Sequence, residues 1–286
     1  MKVKGRKLKI EVKVELRSIF FFMLLILMGC EQENDMKTAA GEMNFIVVDA
    51  LITDEFKQQE VILTYPKKDM NAVSLPVSGA SVIISNEDSV FFLQEQVAGS
   101  GKYISNHAFS ALPGKNYTLK IISGNKVYSA KASMVPGMEF LPLRYTRTGQ
   151  AGLYKIIWVS NPYNPNRPAM YEILFDWSDV PGYLNQDPET CKARMMVYTL
   201  PTLDVSEVFA PSKETILFPL GTKITENRYS LTNDHAEFLR ELLMETAWQG
   251  GFFNTSAANV TTNLSAGAVG YFGVCAVNRK NILVIK

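Results

Sequence analysis

The chain has 286 residues, of which 29 are basic, 28 are acidic and 47% are hydrophobic. Residues 1–29 hold seven of the basic and two of the acidic residues, so the remaining 257 residues carry 22 and 26, a net charge near −4. Because nucleic-acid recognition needs a concentrated basic surface, this mildly acidic remainder argues against a nucleic-acid partner. Its length fits one large domain or two ordinary domains.

The first thirty residues have the layout of a secretory signal. A basic leader precedes an uninterrupted apolar run over 19–28, and the small Gly29 comes directly before Cys30. The run is about half of the roughly 20 residues that a bilayer-spanning helix needs, so we predict a processed signal peptide over 1–29. The Gly29-Cys30 step resembles the lipobox of bacterial lipoproteins. That resemblance implies cleavage between these residues and a membrane anchor of acyl chains on Cys30.

An acidic, flexible tether is predicted over residues 30–43. Residues 31–35 are polar and acidic, and residues 37–41 are small and featureless, so the stretch has too little apolar surface to fold. An acidic cluster after a lipidated cysteine resembles the surface-export signal of Bacteroidetes lipoproteins. The resemblance implies an outer-membrane position facing the cell exterior, with an inward-facing, periplasmic position as the alternative.

Residues 44–135 read as a succession of short strands with turn punctuation. The predicted strands cover residues 45–52, 60–65, 80–85, 90–93, 102–104, 117–122 and 127–132. Their spacing of roughly 8–12 residues is typical of a β-sandwich of immunoglobulin size. Gly79 and Gly114 can take up positive φ at turns, and Tyr103 and Tyr117 can supply buried aromatic area.

Three segments of this region resemble the carboxypeptidase-regulatory-like sandwich. They are Pro-Val-Ser-Gly-Ala-Ser-Val at 76–82, Gly-Lys-Tyr at 101–103 and Leu-Pro-Gly-Lys-Asn-Tyr-Thr-Leu at 112–119. The resemblance implies the same immunoglobulin-like fold for 44–135.

Residues 138–286 are predicted to form a second β-rich domain. Strand-like runs cover residues 153–159, 169–177, 193–199, 215–220, 267–277 and 282–285. One helix is predicted over about 232–248, because Thr232 or Asn233 can cap it and apolar residues recur at helical spacing. The predicted fold is therefore mainly β, with two β-sandwich-like domains, the second carrying the helix.

The residue pattern contains no recognisable catalytic constellation. His107 reads as a polar edge residue and His235 as a residue facing solvent or a cap, and neither lies in a nucleophile motif. Asp176 and Asp179 are the best acid/base candidates, so a hydrolase with a cryptic site stays an alternative. Two distant histidines and no paired cysteines give no metal signature, and we expect no metal and no cofactor.

Two features remain open candidates for interactions. Cys191 and Cys275 could form a disulfide in an oxidising compartment, whereas the apolar run around Cys275 favours a buried small residue. The loop at 161–167 is a candidate contact surface, through Tyr163, Asn164 and Arg167, because binding residues concentrate on loops over a rigid scaffold.

Four segments together resemble a Bacteroidetes lipoprotein family, domain-of-unknown-function family 4249. They are the opening strand at 47–54, the segments at 76–82 and 112–119, and a glycine–aromatic block at 263–273 after the helix. Members are typically encoded beside outer-membrane TonB-dependent transporters. The resemblance implies a non-enzymatic accessory or binding partner of such a transporter, and a surface adhesion or matrix-binding protein is the alternative.

Overall fold

The computed structural model describes residues 45–67, 73–150, 152–159, 167–200, 215–246 and 260–286. The fold is mainly β, as predicted. The strands are β1 (Ile46–Thr53), β2 (Glu60–Thr64), β3 (Ser81–Ser85), β4 (Val90–Glu95), β5 (Lys102–Ser105), β6 (Asn116–Ser123), β7 (Lys126–Ser133), β8 (Arg144–Arg147), β9 (Leu153–Trp158), β10 (Ala169–Asp176), β11 (Lys192–Thr199), β12 (Phe218–Pro219), β13 (Lys223–Ser230) and β14 (Ala268–Leu283). Helix α1 covers Asn233–Thr246, and a 3-10 helix covers Pro188–Cys191. No helix in these ranges is long and apolar enough to cross a membrane.

One long sheet runs through most of the described strands. Its order is β11-β10-β13-β14-β1-β2-β5-β4-β3-β6-β7, and a second sheet has the order β12-β9-β8. Strand β14 connects the two parts of this sheet, since its first half pairs in parallel with β1 and its second half pairs antiparallel with β13. Asn44–Lys286 form one compact unit.

The first sandwich is built by β1 to β7 and the beginning of β14. Alternate residues of β1 point into its core, and the sheet curls until β7 meets the segment before β14 through a bridge between Ala130 and Leu264. The predicted roles of the tyrosines are confirmed. The Tyr103 hydroxyl donates to Val77 O and the Tyr117 hydroxyl accepts from Leu112 N, while both rings are buried.

The second core lies between the small sheet and one face of β10 and β13. Its buried residues are Leu143, Tyr154, Ile173, Phe175, Phe218, Ile224 and Val284. The proposed domain division at residues 135–138 stays a prediction. The strand pairing is continuous across it, because β14 belongs to both halves.

The structure differs from the sequence prediction in four strands. Strands β8 and β13 were not predicted, because their sequences, RYTR and KITENRYS, lack an apolar alternation. The expected strand at 215–220 is only two residues long, as β12. The last two apolar runs are one strand, since the polar residues between them pair with β13.

Candidate functional site

A row of polar side chains crosses the outer face of the long sheet. Strand register places Asn227 of β13 between Glu172 of β10 and Arg279 of β14. Arg194 of β11 and Glu55, in the loop after β1, extend the row on either side through ion pairs. We call these five residues, Arg194, Glu172, Asn227, Arg279 and Glu55, the polar row.

The carboxylate of Glu172 anchors one end of the polar row. It is largely buried and lies 2.8 Å from Arg194 Nε. Its Oε2 also accepts hydrogen bonds from Asn227 Nδ2 at 3.1 Å and from the Tyr229 hydroxyl at 3.0 Å. Since three donors from two neighbouring strands, β11 and β13, converge on it, this carboxylate holds its neighbours in fixed positions.

Arg279 and Glu55 form the other end of the polar row. Arg279 donates through Nε to Asn227 Oδ1 at 2.7 Å and through Nη2 to Glu55 Oε1 at 2.6 Å. Lys57 contacts the second oxygen of Glu55 at 2.7 Å. Partial burial alone would raise the pKa of Glu55, but the Lys57 ammonium and the Arg279 guanidinium outweigh it and lower this pKa.

A buried glutamine holds the loop that carries Glu55. The Gln59 side chain accepts from Thr53 N at 3.0 Å and donates to Thr53 O, Glu55 O and Phe109 O. Four hydrogen bonds from one fully buried amide give this loop a single conformation. The position of Glu55 is therefore set by the fold and needs no ligand.

The chemistry of the polar row favours recognition over acid/base work. Its carboxylates are engaged by internal donors, whereas the side chains of Arg194, Arg279 and Lys57 remain about half exposed. Pre-positioned guanidinium groups suit contacts with carboxylates or other anions on a partner.

A second polar cluster lies between α1 and β14, and its His235 and Cys275 side chains are buried. The His235 ring stacks on Tyr271 at a centroid distance of 4.6 Å, and its Nδ1 lies 3.8 Å from Cys275 Sγ. The prediction that His235 faces solvent or a cap was wrong for its side chain, although its backbone N–H donates to the Thr232 hydroxyl. Burial lowers the pKa of His235 to about 4 and raises that of Cys275 to about 12, so both are neutral near pH 7 and form no nucleophilic pair.

In the glycine–aromatic block at 263–273, Gly270, Gly273 and Asn263 each have a structural role. Gly270 has φ +100°, and a Cβ there would overlap the Val48 backbone of β1. A Cβ on Gly273 would lie 2.5 Å from the His235 ring. The Asn263 side chain exchanges two hydrogen bonds with the Phe272 backbone and donates to Lys131 O, which ties β14 to β7. The glycines of this block therefore allow β14 to pack closely against β1 and α1.

The two acidic candidates from the sequence each have a different partner. Asp176 Oδ1 accepts hydrogen bonds from the Ser178 hydroxyl and N–H, which lower its pKa. Asp179 pairs with Lys223 at 2.6 Å. Within the part of the chain that the structure describes, no group of three His, Cys, Asp or Glu residues could hold a metal ion.

Cys191 and Cys275 are both buried free thiols. Strand register aligns Lys192, next to Cys191, with Leu283 of β14 across two intervening strands, whereas Cys275 lies eight residues before Leu283 along β14. At about 3.3 Å per residue the offset along the strand direction alone is about 26 Å, which is incompatible with the disulfide that the sequence left open. The buried setting predicted for Cys275 is confirmed.

Of the remaining candidates from the sequence, the structure describes Arg167. Arg167 is exposed, and its Nη1 contacts Met138 Sδ at 2.7 Å. Tyr163, Asn164, Gly29 and Cys30 lie outside the described residues.

Two buried charged residues of β13, Glu226 and Arg228, were not predicted from the sequence. Arg228 is 2% exposed, and its guanidinium donates to the Tyr171 hydroxyl at 3.2 Å and the Ser230 hydroxyl at 2.7 Å. Glu226 is fully buried beneath the segment that ends at Leu143. Their spacing of two residues on a strand was the available signal, but charged residues at such spacing are usually solvent-exposed.

A comparison with protein families supplies one match. The model of the family described as Domain of unknown function (DUF4249) matches residues 31–281. No curated protein matches the chain.

Proposed function

Since the chain belongs to the DUF4249 family, we propose that it is a lipid-anchored, non-enzymatic binding protein of the outer membrane that faces the cell exterior. In this role it acts as the accessory partner of a TonB-dependent transporter. Cys30 carries the acyl anchor, and residues 30–43 connect it to the folded body.

One boundary supports the anchored arrangement. The family match begins at residue 31, directly after Cys30, so the segment up to the lipobox-like step lies outside it. This is expected of a chain whose first part is removed.

The polar row is the observation that carries the binding role. Arg194 and Arg279 of the row, with Lys57 beside it, present cationic groups at the surface, and Glu172 and Glu55 hold them in place. Groups that are already ordered lose little conformational entropy on binding. Charge complementarity then favours an acidic surface on the partner, which raises both the encounter rate and the selectivity.

The primary experiment is a crosslinked pull-down from outer membranes of the native host. The tagged wild type is compared with Cys30→Ala, which cannot be acylated. We expect stoichiometric recovery of one transporter barrel with the wild type and its loss with the variant. Recovery of the lipoprotein alone, at intact surface levels, rejects the accessory role and directs the search to soluble ligands and extracellular polymers.

The contribution of the polar row is tested in the same pull-down. The double variant Arg194→Ala, Arg279→Ala removes both guanidinium groups, and Lys120→Ala, an exposed cation on β6 of the same sheet, is the matched control. We expect the double variant to lose the transporter and the control to retain it. Equal recovery from both variants places the contact elsewhere.

A further inference from the structure

The two edges of the long sheet differ in how their backbone groups are satisfied. At the β7 edge, Ser129 N donates to the Ser265 hydroxyl, and Ser129 O accepts from Ser265 N. Lys131 O of the same edge accepts from the Asn263 side chain. At the other edge lies β11, and no described strand pairs with its second side. A row of unpaired N–H and C=O groups at such an edge is a template for a further strand.

Strand β11 lacks the features that usually protect an edge. Strand β8, an edge of the small sheet, is four residues long, has an arginine at each end and shifts register after Arg144. Strand β11 has eight residues, and its register with β10 is continuous from Thr199 to Lys192. Its residues 195–198, Met-Met-Val-Tyr, include no charge and no proline. A long, apolar edge of this kind favours the addition of a strand.

The hydrogen-bond pattern shows which backbone groups of β11 point to the free side. Trp177 N donates to Cys191 O, and these two residues continue the β10–β11 register by one pair. Because bonded pairs alternate along an antiparallel ladder, the odd-numbered residues of β11 bond to β10. The N–H and C=O groups of Arg194, Met196 and Tyr198 therefore point away from the sheet.

The other side of β10 gives the same assignment. Leu231 N donates to Pro168 O, and these residues continue the β10–β13 register by one pair. The even-numbered residues of β10 therefore bond to β13, which leaves its odd-numbered residues for β11.

The side chains of β11 define the two faces that an added strand would have. Ala193, Met195 and Val197 are partly buried and pack against the second core, so apolar side chains on the added strand would extend this core. On the outer face, the Arg194 side chain is 63% exposed and contacts Glu172 through Nε. Opposite charges on neighbouring strands are stabilising, so an acidic residue is favoured opposite Arg194.

We propose that β11 accepts an extended segment of the protein partner as an additional antiparallel strand, with an acidic side chain opposite Arg194 and apolar side chains over the second core; this rests on the partner binding in the proposed function. The charges favour a partner segment over a second copy of this chain. Strand β11 carries Lys192 and Arg194 and no acid, so a second β11 would bring no carboxylate to Arg194. Lys192 already pairs with Glu189.

The test measures the binding of a designed peptide by fluorescence anisotropy. The labelled octapeptide Val-Thr-Val-Thr-Val-Glu-Val-Thr places its glutamate opposite Arg194 when its first residue lies opposite Thr199. It is titrated with the full protein, purified in detergent from the native host. Met196→Pro removes one N–H on the free side of β11, where proline is tolerated in an edge strand. Met196→Ala is the matched control, because it removes the same side chain and keeps the N–H.

We expect Met196→Ala to bind the peptide like the wild type and Met196→Pro to bind it at least about tenfold more weakly. Equal binding by the two folded variants, or no binding by the wild type, overturns strand addition. Should Met196→Pro fail to fold, methylated peptides decide the point with the wild type alone.

Methylation of the peptide backbone tests the pairing from the other side. In the antiparallel arrangement, the N–H groups of the threonines and the glutamate point to β11, and those of the valines point away. Methylating the first set should weaken binding at least about tenfold, and methylating the valine nitrogens should change it less than about threefold. Equal effects, or the reverse preference, overturn the antiparallel strand.

The pull-down from native outer membranes separates this contact from the accessory role. We expect Met196→Ala to retain the transporter and Met196→Pro to lose it. Equal recovery with both variants overturns the strand contact and leaves the accessory role standing. Absence of a transporter with the wild type overturns the accessory role, and with it the assignment of the segment to that partner, whatever the peptide shows.

Discussion

The backbone N–H of Leu143 donates a 3.0 Å hydrogen bond to Oε2 of Glu226 and so fastens the connector before β8 to the middle of β13. The other carboxyl oxygen, Oε1, is buried without a hydrogen-bond partner in the described structure. Burial raises the pKa of Glu226 to about 7, although the Leu143 N–H and the Lys280 charge act in the opposite direction. This carboxyl therefore changes protonation near neutral pH inside the second core.

The first prediction concerns Glu226→Gln. The folded carboxyl binds its proton more tightly than the unfolded one, whose pKa is 4.5, so the free energy of unfolding falls as pH rises from 4.5 through 7. Glutamine keeps the acceptor for Leu143 and cannot ionise. As the pH rises from about 5 to about 8, the free energy of unfolding of the variant should increase by on the order of 2 kcal/mol relative to that of the wild type.

Urea unfolding at the two pH values measures this difference. Glu139→Gln is the control, since Glu139 lies on the same connector with an exposed side chain. A constant offset between Glu226→Gln and the wild type at both pH values would show that Glu226 does not titrate in this range.

The second prediction concerns acid unfolding through His235. Burial lowers its pKa from 6.5 to about 4, so the folded state binds the proton less tightly than the unfolded state. The contribution of neutral His235 to the free energy of unfolding is complete above pH 6.5 and is lost as the pH falls from there through 4. His235→Phe keeps a ring against Tyr271 but cannot be protonated.

We expect the wild type to lose about 2–3 kcal/mol more stability than His235→Phe between about pH 7 and pH 4. Guanidinium unfolding curves across this range provide the measurement. His107→Phe is the control because His107 is exposed. Parallel stability curves for the wild type and His235→Phe would contradict a buried, neutral imidazole.

The third prediction concerns the parallel pairing of β14 with β1. An alanine at Gly270 would need φ +100° and would overlap the Val48 backbone. Gly270→Ala should therefore cost about 3 kcal/mol or more, or prevent soluble expression. Gly124→Ala is the control, because Gly124 also has positive φ, +56°, but has open space around its Cα; we expect a cost of about 1 kcal/mol. Equal melting temperatures for the two variants would mean that the strands are further apart at Gly270.

The fourth prediction concerns the cysteines. In the mature Cys30→Ala protein, Cys191 and Cys275 remain as buried free thiols. Neither should react with an aromatic disulfide reagent while the protein is folded, since burial excludes the reagent and raises the pKa of Cys275 to about 12. Unfolding in guanidinium without reductant should release two reactive thiols. Detection of no reactive thiol after unfolding would instead indicate a disulfide between Cys191 and Cys275.

Much of the first sandwich was predictable because its signals are local. Alternating apolar residues place β1 to β7 within a residue or two of their observed bounds. Gly79 and Gly114 have the positive φ values expected at their turns, 69° and 75°. Helix α1 begins at Asn233, next to the expected cap.

The candidate site was not predictable in the same way. None of the polar row residues lies in a motif, and Asn227 meets Glu172 and Arg279 from strands about fifty residues away along the chain. Strand β13 was missed because its inward positions hold Glu226 and Arg228, which only neighbouring strands can surround with partners.

The sequence by itself determined the β class and most strand positions, since each depends on composition or on spacing within one segment. Only the tertiary structure decided that β14 joins both halves, that His235 is buried over Gly273, and that five polar side chains align across the sheet. Those features depend on which distant strands pair and in what register. Apolar alternation shows which side of a strand is buried but does not identify its neighbour.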